Sequence, residues 1–85
     1  MSARSLTSAQ IRAARSLIRW SADDLALRSS VSVATIRRAE LRDEETAMTV
    51  ANDLAVRRAL ENAGVEFIDE NGGGPGVRLR KASAR

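Results

Sequence analysis

Arg37 and Arg38 are neighbouring cations at the end of a short run, Ser32-Val33-Ala34-Thr35-Ile36-Arg37-Arg38, that mixes hydroxyl, small apolar and guanidinium groups. The chemistry such groups perform is recognition. A guanidinium presents a fork of donors that fits the O6/N7 edge of guanine or a phosphate, and the methyls of Val33 and Ala34 suit the methyl of thymine. The plain alternative is a solvated arginine pair on a helix surface. Groups for bond-breaking chemistry are scarce: the chain has no Cys and no His, hence no thiolate, disulfide or imidazole base and none of the usual ligands for zinc, copper or haem. The carboxylate pairs Asp23/Asp24 and Glu44/Glu45 are sequence neighbours on capping or exposed segments with no second titrating group beside them, so they read as cap and solvent-facing charge. The glycine run of residues 72–76 lacks the Lys-Ser/Thr and the following helix of a phosphate loop. The expectation is therefore no enzyme, no metal and no cofactor.

Charge is distributed unevenly. Residues 1–42 hold eight Arg against three acids, a net of +5; residues 43–70 hold two Arg against eight acids, a net of −6; residues 71–85 return to +4. A basic first half fits a face that binds a polyanion, although thirteen of the fourteen cations are Arg, which base composition alone also produces.

The elements that must position these groups fit one small domain, since 85 residues hold a single core and not two. Fifteen alanines and only two aromatics, Trp20 and Phe67, favour close-packed helices. Thr7-x-x-Gln10 is a capping box with Leu6 and Ile11 at the staple positions, predicting a helix from Ser8 to about Ile18 with a stripe of Ile11, Ala14, Leu17 and Ile18. Ser21 starts a second helix, about Ala22 to Arg28, with Asp23 and Asp24 in its first turn and Leu25 and Ala26 buried. Ser32 caps a third, Val33 to Glu40, with Ile36 and Ala39 inward. Leu41 to Ala47 reads as a charged loop, and Thr49 or Thr46 caps a fourth helix running to Ala63, with Gly64 as its left-handed terminator. Val56, Ala59, Leu60 and Ala63 share its core face. Val50 and Leu54 project away from that face, either under the preceding loop or as a partner surface.

After Gly64 the period changes to two. Val65 to Asp69 and Val77 to Lys81 alternate around a glycine-rich turn, predicting a β-hairpin with Val65, Phe67, Val77 and Leu79 on one face and Glu66 opposite Arg78 or Arg80 on the other. A lone hairpin is marginal in water, so it must pack on the helices or add strands from another copy. The four apolar hairpin residues are accordingly the expected dimer interface, and residues 82–85 a loose tail.

Two short capped helices joined by a tight turn suggest a helix-turn-helix. Trp20-Ser21-Ala22-Asp23-Asp24-Leu25-Ala26 followed by Val31-Ser32-Val33-Ala34-Thr35-Ile36-Arg37-Arg38-Ala39-Glu40 resembles that motif in the lambda-repressor-like (Cro/cI, xenobiotic-response-element type) regulators. The likeness covers about residues 6–63, and the hairpin of residues 64–81 resembles the ending of a subgroup of very small bacterial members. It implies a mainly α domain of four helices with a C-terminal β-hairpin that binds operator DNA as a homodimer, without a cofactor, and regulates transcription. It further implies base contacts from Val33, Ala34, Arg37 and Arg38, phosphate contacts near Ser32 and Thr35, and an ion pair between Arg15 and Glu40; Ser21 and Arg28 complete the expected DNA-binding residues. Ser30 stands where the family usually has Gly, so it must accept that backbone geometry or reshape it; Ala22 stands where Gln is frequent. The acidic stretch Asp43-Glu44-Glu45 replaces a loop that is often basic and keeps a second reading open: a protein-binding module, anti-activator or antitoxin-like, using that loop, Val50/Leu54 or the hairpin. The apolar runs are too short to span a membrane and the first residues lack a secretory stretch, so the expected location is the cytoplasm, at the nucleoid.

Overall fold

In a computed structural model, which describes residues 5–42 and 45–81, the chain runs α1 (Ser8–Ile18), α2 (Ala22–Ser29), α3 (Val33–Glu40), α4 (Val50–Asn62), β1 (Val65–Ile68) and β2 (Gly76–Leu79). It is a small, mainly helical domain with an antiparallel two-stranded hairpin. Residues 43, 44 and 82–85 lie outside the described residues, and with them part of the acidic loop and the expected tail.

Each helix begins where a hydroxyl takes an orphan amide. Thr7, Ser21, Ser32 and Thr49 accept from the backbone N–H three residues on, and Gln10 and Asp24 reach back to complete capping boxes. Of the two cap candidates for α4, Thr49 is the one used. Thr46 is instead buried, its hydroxyl accepting the Met48 amide.

Between α2 and α3 the chain must reverse within a few residues. Ser29 accepts the Val31 amide on its hydroxyl, Ser30 takes the left-handed conformation at φ 61°, and Val31 drops into the core. Ser30 therefore accepts the backbone that Gly adopts without strain.

The core is aliphatic: Leu6, Ile11, Ala14, Leu25, Val31, Ile36, Val56, Ala59, Leu60 and Val65 form one cluster. Trp20 and Phe67 sit at its rim, each with a guanidinium over its ring, Arg28 at 5.4 Å and Arg57 at 5.1 Å from the centroid.

Two expectations about packing need correcting. Leu17 is 40% exposed and does not join the α1 stripe. It lies two turns beyond Gln10 on the same flank of the helix. There Gln10, not Leu17, is the residue covered by the hairpin: its side-chain N–H₂ donates to the Gly76 carbonyl at 3.0 Å and the Ile68 carbonyl at 3.4 Å, while its carbonyl accepts from Thr7. Val50 and Leu54 are not tucked beneath the preceding loop but 75% and 40% exposed, because α4 buries only the side carrying Asp53, Val56, Ala59 and Leu60.

The apolar face of the hairpin finds partners within the chain. The register Val65↔Leu79, Glu66↔Arg78, Phe67↔Val77, Ile68↔Gly76 puts the four expected apolar residues on one face. That face is turned to the chain's own helices: Val65 is fully buried, and Phe67 and Val77 pack against the core. Leu79, half exposed, keeps the most surface of the four, with Phe67 and Val77 partly buried. A hairpin whose apolar side is already covered within one chain has little left for a face-to-face dimer.

Candidate functional site

The groups singled out by residue type converge on α3 and on the turn before it. With Ile36 and Ala39 inward, the outward side carries Ser32, Ala34, Arg37 and Arg38, all exposed, with Val33 and Thr35 half-buried at its margins. The Ser32 hydroxyl accepts the Thr35 amide at 3.2 Å and donates to the Thr35 hydroxyl at 2.9 Å; that oxygen also accepts from Arg38 Nη2 at 3.3 Å. Arg38 is thereby leaned along the helix toward its N-terminus. Arg37 extends toward α2, its Nη2 3.7 Å from Asp23 Oδ1, a pair exposed at both ends and so worth little to stability, about 0–1 kcal/mol. Ser21, the α2 cap, is exposed near this end and held by Asp24. The hydrogen bonds from Ser21 to the Asp24 carboxylate hold its pKa below the ordinary aspartate range, so it stays charged at the positive end of α2.

The outward side of α3 is held in place by what packs behind it, and that is α1. The last carbonyls of a helix lack intrahelical partners. Here the buried Ser8 hydroxyl donates to Ala39 O at 2.5 Å, and Arg12 donates to Glu40 O. Arg15 closes the clamp: its Nε and Nη2 each meet one oxygen of the Glu40 carboxylate at 2.7 Å, and its Nη1 donates to Trp20 O at 2.8 Å. The bond to Glu40 raises the Arg15 pKa beyond its already high ordinary value, opposed by partial burial. This is the pair that the resemblance implied, a fork-on-fork contact of the strong kind. It removes Arg15 from the exposed cations and fixes one end of α3 to α1, leaving Arg37 and Arg38 facing outward.

Arg28 is not gathered with these groups. Its guanidinium stacks on Trp20 and lines a shallow hollow with Ala59, Asn62 and Ala63 at the far end of α4. A second hollow of about 140 Å³ adjoins α3, lined by Thr35, Arg38, Arg42, Thr46, Ala47 and Met48. Arg42 belongs to the same basic flank, although residue type alone did not single it out; its Nε donates to Glu45 O at 3.0 Å.

Ser8, Arg12 and Asp53 also escaped the sequence reading. Ser8 and Arg12 sit one turn apart on α1, a spacing that places them on one flank, but only the approach of α3 gives that flank something to bind. Asp53 is buried on α4, and its Oδ1 accepts the Leu6 amide at 3.1 Å, tying the entry to α1 onto α4. Burial pushes its carboxyl above the ordinary value, countered by the Leu6 amide and by Arg57.

Among the described residues no group of three potential His, Cys, Asp or Glu ligands is brought together, and no helix is long and apolar enough to cross a membrane. No known protein-family model matches the chain, and no curated protein matches it.

Proposed function

We propose that this chain is a sequence-specific double-stranded DNA-binding transcriptional regulator of the lambda-repressor-like helix-turn-helix type, acting as a homodimer at the bacterial nucleoid and needing no cofactor. The observation that carries the reading is the two-sidedness of α3. Its inner side and C-terminal end are clamped by Ile36, Ala39 and the Ser8, Arg12 and Arg15 contacts, while Ser32, Ala34, Arg37 and Arg38 face solvent. A short rigid helix presenting two arginines and small methyl-bearing side chains suits the major groove, where a guanidinium reads guanine and a methyl reads thymine. Ser32 and Thr35 at its N-terminal end are the proposed phosphate-side contacts.

One such helix reads only a few base pairs. A two-fold pair with recognition helices about 34 Å apart doubles the site and calls for a palindromic operator. With the hairpin's apolar face covered, we assign the two-fold contact to the exposed Val50 and Leu54 of α4. The same exposure also favours the second reading, in which this surface receives a different regulatory protein.

Selection of bound fragments from random duplex DNA tests the proposal, followed by titration of the winning site at several salt concentrations. The expected outcome is a two-fold symmetric motif and an affinity that falls steeply with salt through counterion release. Absence of any enriched motif, with binding to protein partners that ignores salt, rejects DNA reading in favour of the protein-binding module.

A further inference from the structure

The sheet contains two strands, so each has one edge unpaired within it. The edge of β2 is the more accessible one: Arg78 and Leu79 are exposed, as are Arg80 and Lys81 just beyond the strand, and Gly76 and Val77 are half-buried, whereas no residue of β1 is exposed. The ladder shows which backbone groups point outward. Arg80 N–H donates to Gly64 O at 2.7 Å, and Glu66 stands opposite Arg78, so the even-numbered residues turn their N–H and C=O groups inward to β1. Val77 and Leu79 must turn theirs away from it, and among the described residues no third strand lies beside them.

What this edge accepts is decided by its charge. Residues 78–81 carry three cations and no acid. Arg78 already illustrates the preferred neighbour, since it pairs with Glu66 across the hairpin while remaining 66% exposed. A second copy of β2 laid on this edge sets arginine against arginine, a pairing that destabilises a sheet and that basic edge strands use to resist self-association. An acidic strand meets no such penalty. Half-exposed Leu79 offers an apolar contact on the opposite face, so the matching sequence alternates acidic with apolar residues.

We propose that the outer edge of β2 takes up an extended acidic segment of a partner protein as a third strand. Main-chain bonds form to Val77 and Leu79, and the segment's carboxylates lie beside Arg78 and Arg80. The surface lies on a different element from α3, so this interaction stands or falls independently of DNA binding.

The test uses the full chain labelled with ¹⁵N and a capped synthetic peptide of alternating valine and glutamate, about eight residues long. Its expected result is amide shift changes centred on Val77 and Leu79, slowed hydrogen exchange there, and weaker binding at high salt. A twin peptide N-methylated on the bonding edge keeps every charge but loses the ladder, and should bind roughly tenfold more weakly for two lost main-chain bonds. Equal binding of the twin, equal binding of a valine–lysine peptide, or no response to millimolar peptide overturns the proposal. So does perturbation of these amides by duplex DNA without any by the peptide, or by raising the protein concentration alone, which assign the edge to nucleic acid or to a second copy.

Discussion

Arg15 on α1 holds both carboxylate oxygens of Glu40 at the end of α3, with side chains only 22% and 10% exposed, and with its third nitrogen it holds the carbonyl of Trp20. One side chain thus joins α1, the start of α2 and the end of α3. Removing Glu40 leaves a partly buried guanidinium with half its partners gone, so Glu40→Ala is expected to destabilise the fold by about 1.5–3 kcal/mol. Glu70→Ala, at an exposed position, should change stability by less than about 0.5 kcal/mol. Thermal melts of the two variants compare them directly; equal melting temperatures would show the Arg15–Glu40 contact to be energetically idle.

Ser30 carries the left-handed turn between α2 and α3 at φ 61°. Replacing it by Gly relieves the Cβ penalty, and Ser30→Gly is expected to raise stability by about 0.5–1 kcal/mol. Ser30→Val, branched at Cβ, should lower it by more than that gain. Urea denaturation with an unchanged slope is the measurement, and destabilisation by Gly would contradict the strain assigned to this residue.

Arg38 faces outward beside Arg37 and is leaned on Thr35. If α3 reads bases, Arg38→Ala costs about 1–3 kcal/mol at the preferred site and relaxes base preference at one position per half-site. Titrations on matched and mismatched duplexes check this. A uniform loss across all sequences would move Arg38 to the phosphate backbone.

Asp53 predicts a pH dependence whose sign follows from its burial. Its folded pKa lies above the unfolded value, so the folded chain binds the proton more tightly. The stability it contributes is therefore fully present below the unfolded pKa and is lost as pH rises through the folded one. Asp53→Asn keeps an acceptor for the Leu6 amide without a charge to bury. Its stability relative to the parent should rise with pH across that window and then level off. Melts from acid to neutral pH measure the difference, and a difference independent of pH refutes the assignment. Asp24 acts oppositely in the parent, its lowered pKa giving stability that is lost as pH falls through it.

Leu54→Glu tests the proposed two-fold contact. The site is 40% exposed, so the fold should survive, while light scattering should show a shift toward monomer and operator affinity should fall. By contrast, ending the chain at Gly64 removes Val65 and Phe67 from the core and is expected to unfold the helices measurably by circular dichroism. A truncated chain that keeps its helicity would show that the hairpin is not needed to complete the core.

Local signals carried the element map. Thr7, Ser21 and Ser32 start their helices in the structure as their hydroxyls do in sequence, Thr49 is one of the two caps open in sequence for α4, and the change of period after Gly64 marks the hairpin, because caps and periodicity act over three or four residues. The outward side of α3 was legible for the same reason. Tertiary contact alone decided which flanks were covered. Gln10 is buried and Leu17 is not, Asp53 is buried and Val50 is not, since burial depends on what packs across from a side chain more than on its own hydropathy. The hairpin's apolar face had two possible destinations in sequence, its own helices or another copy. The choice fell to Phe67, Val77 and Val65 reaching the core, a placement also held by the bond from Gln10 to Gly76, 66 residues apart and beyond the reach of any local pattern.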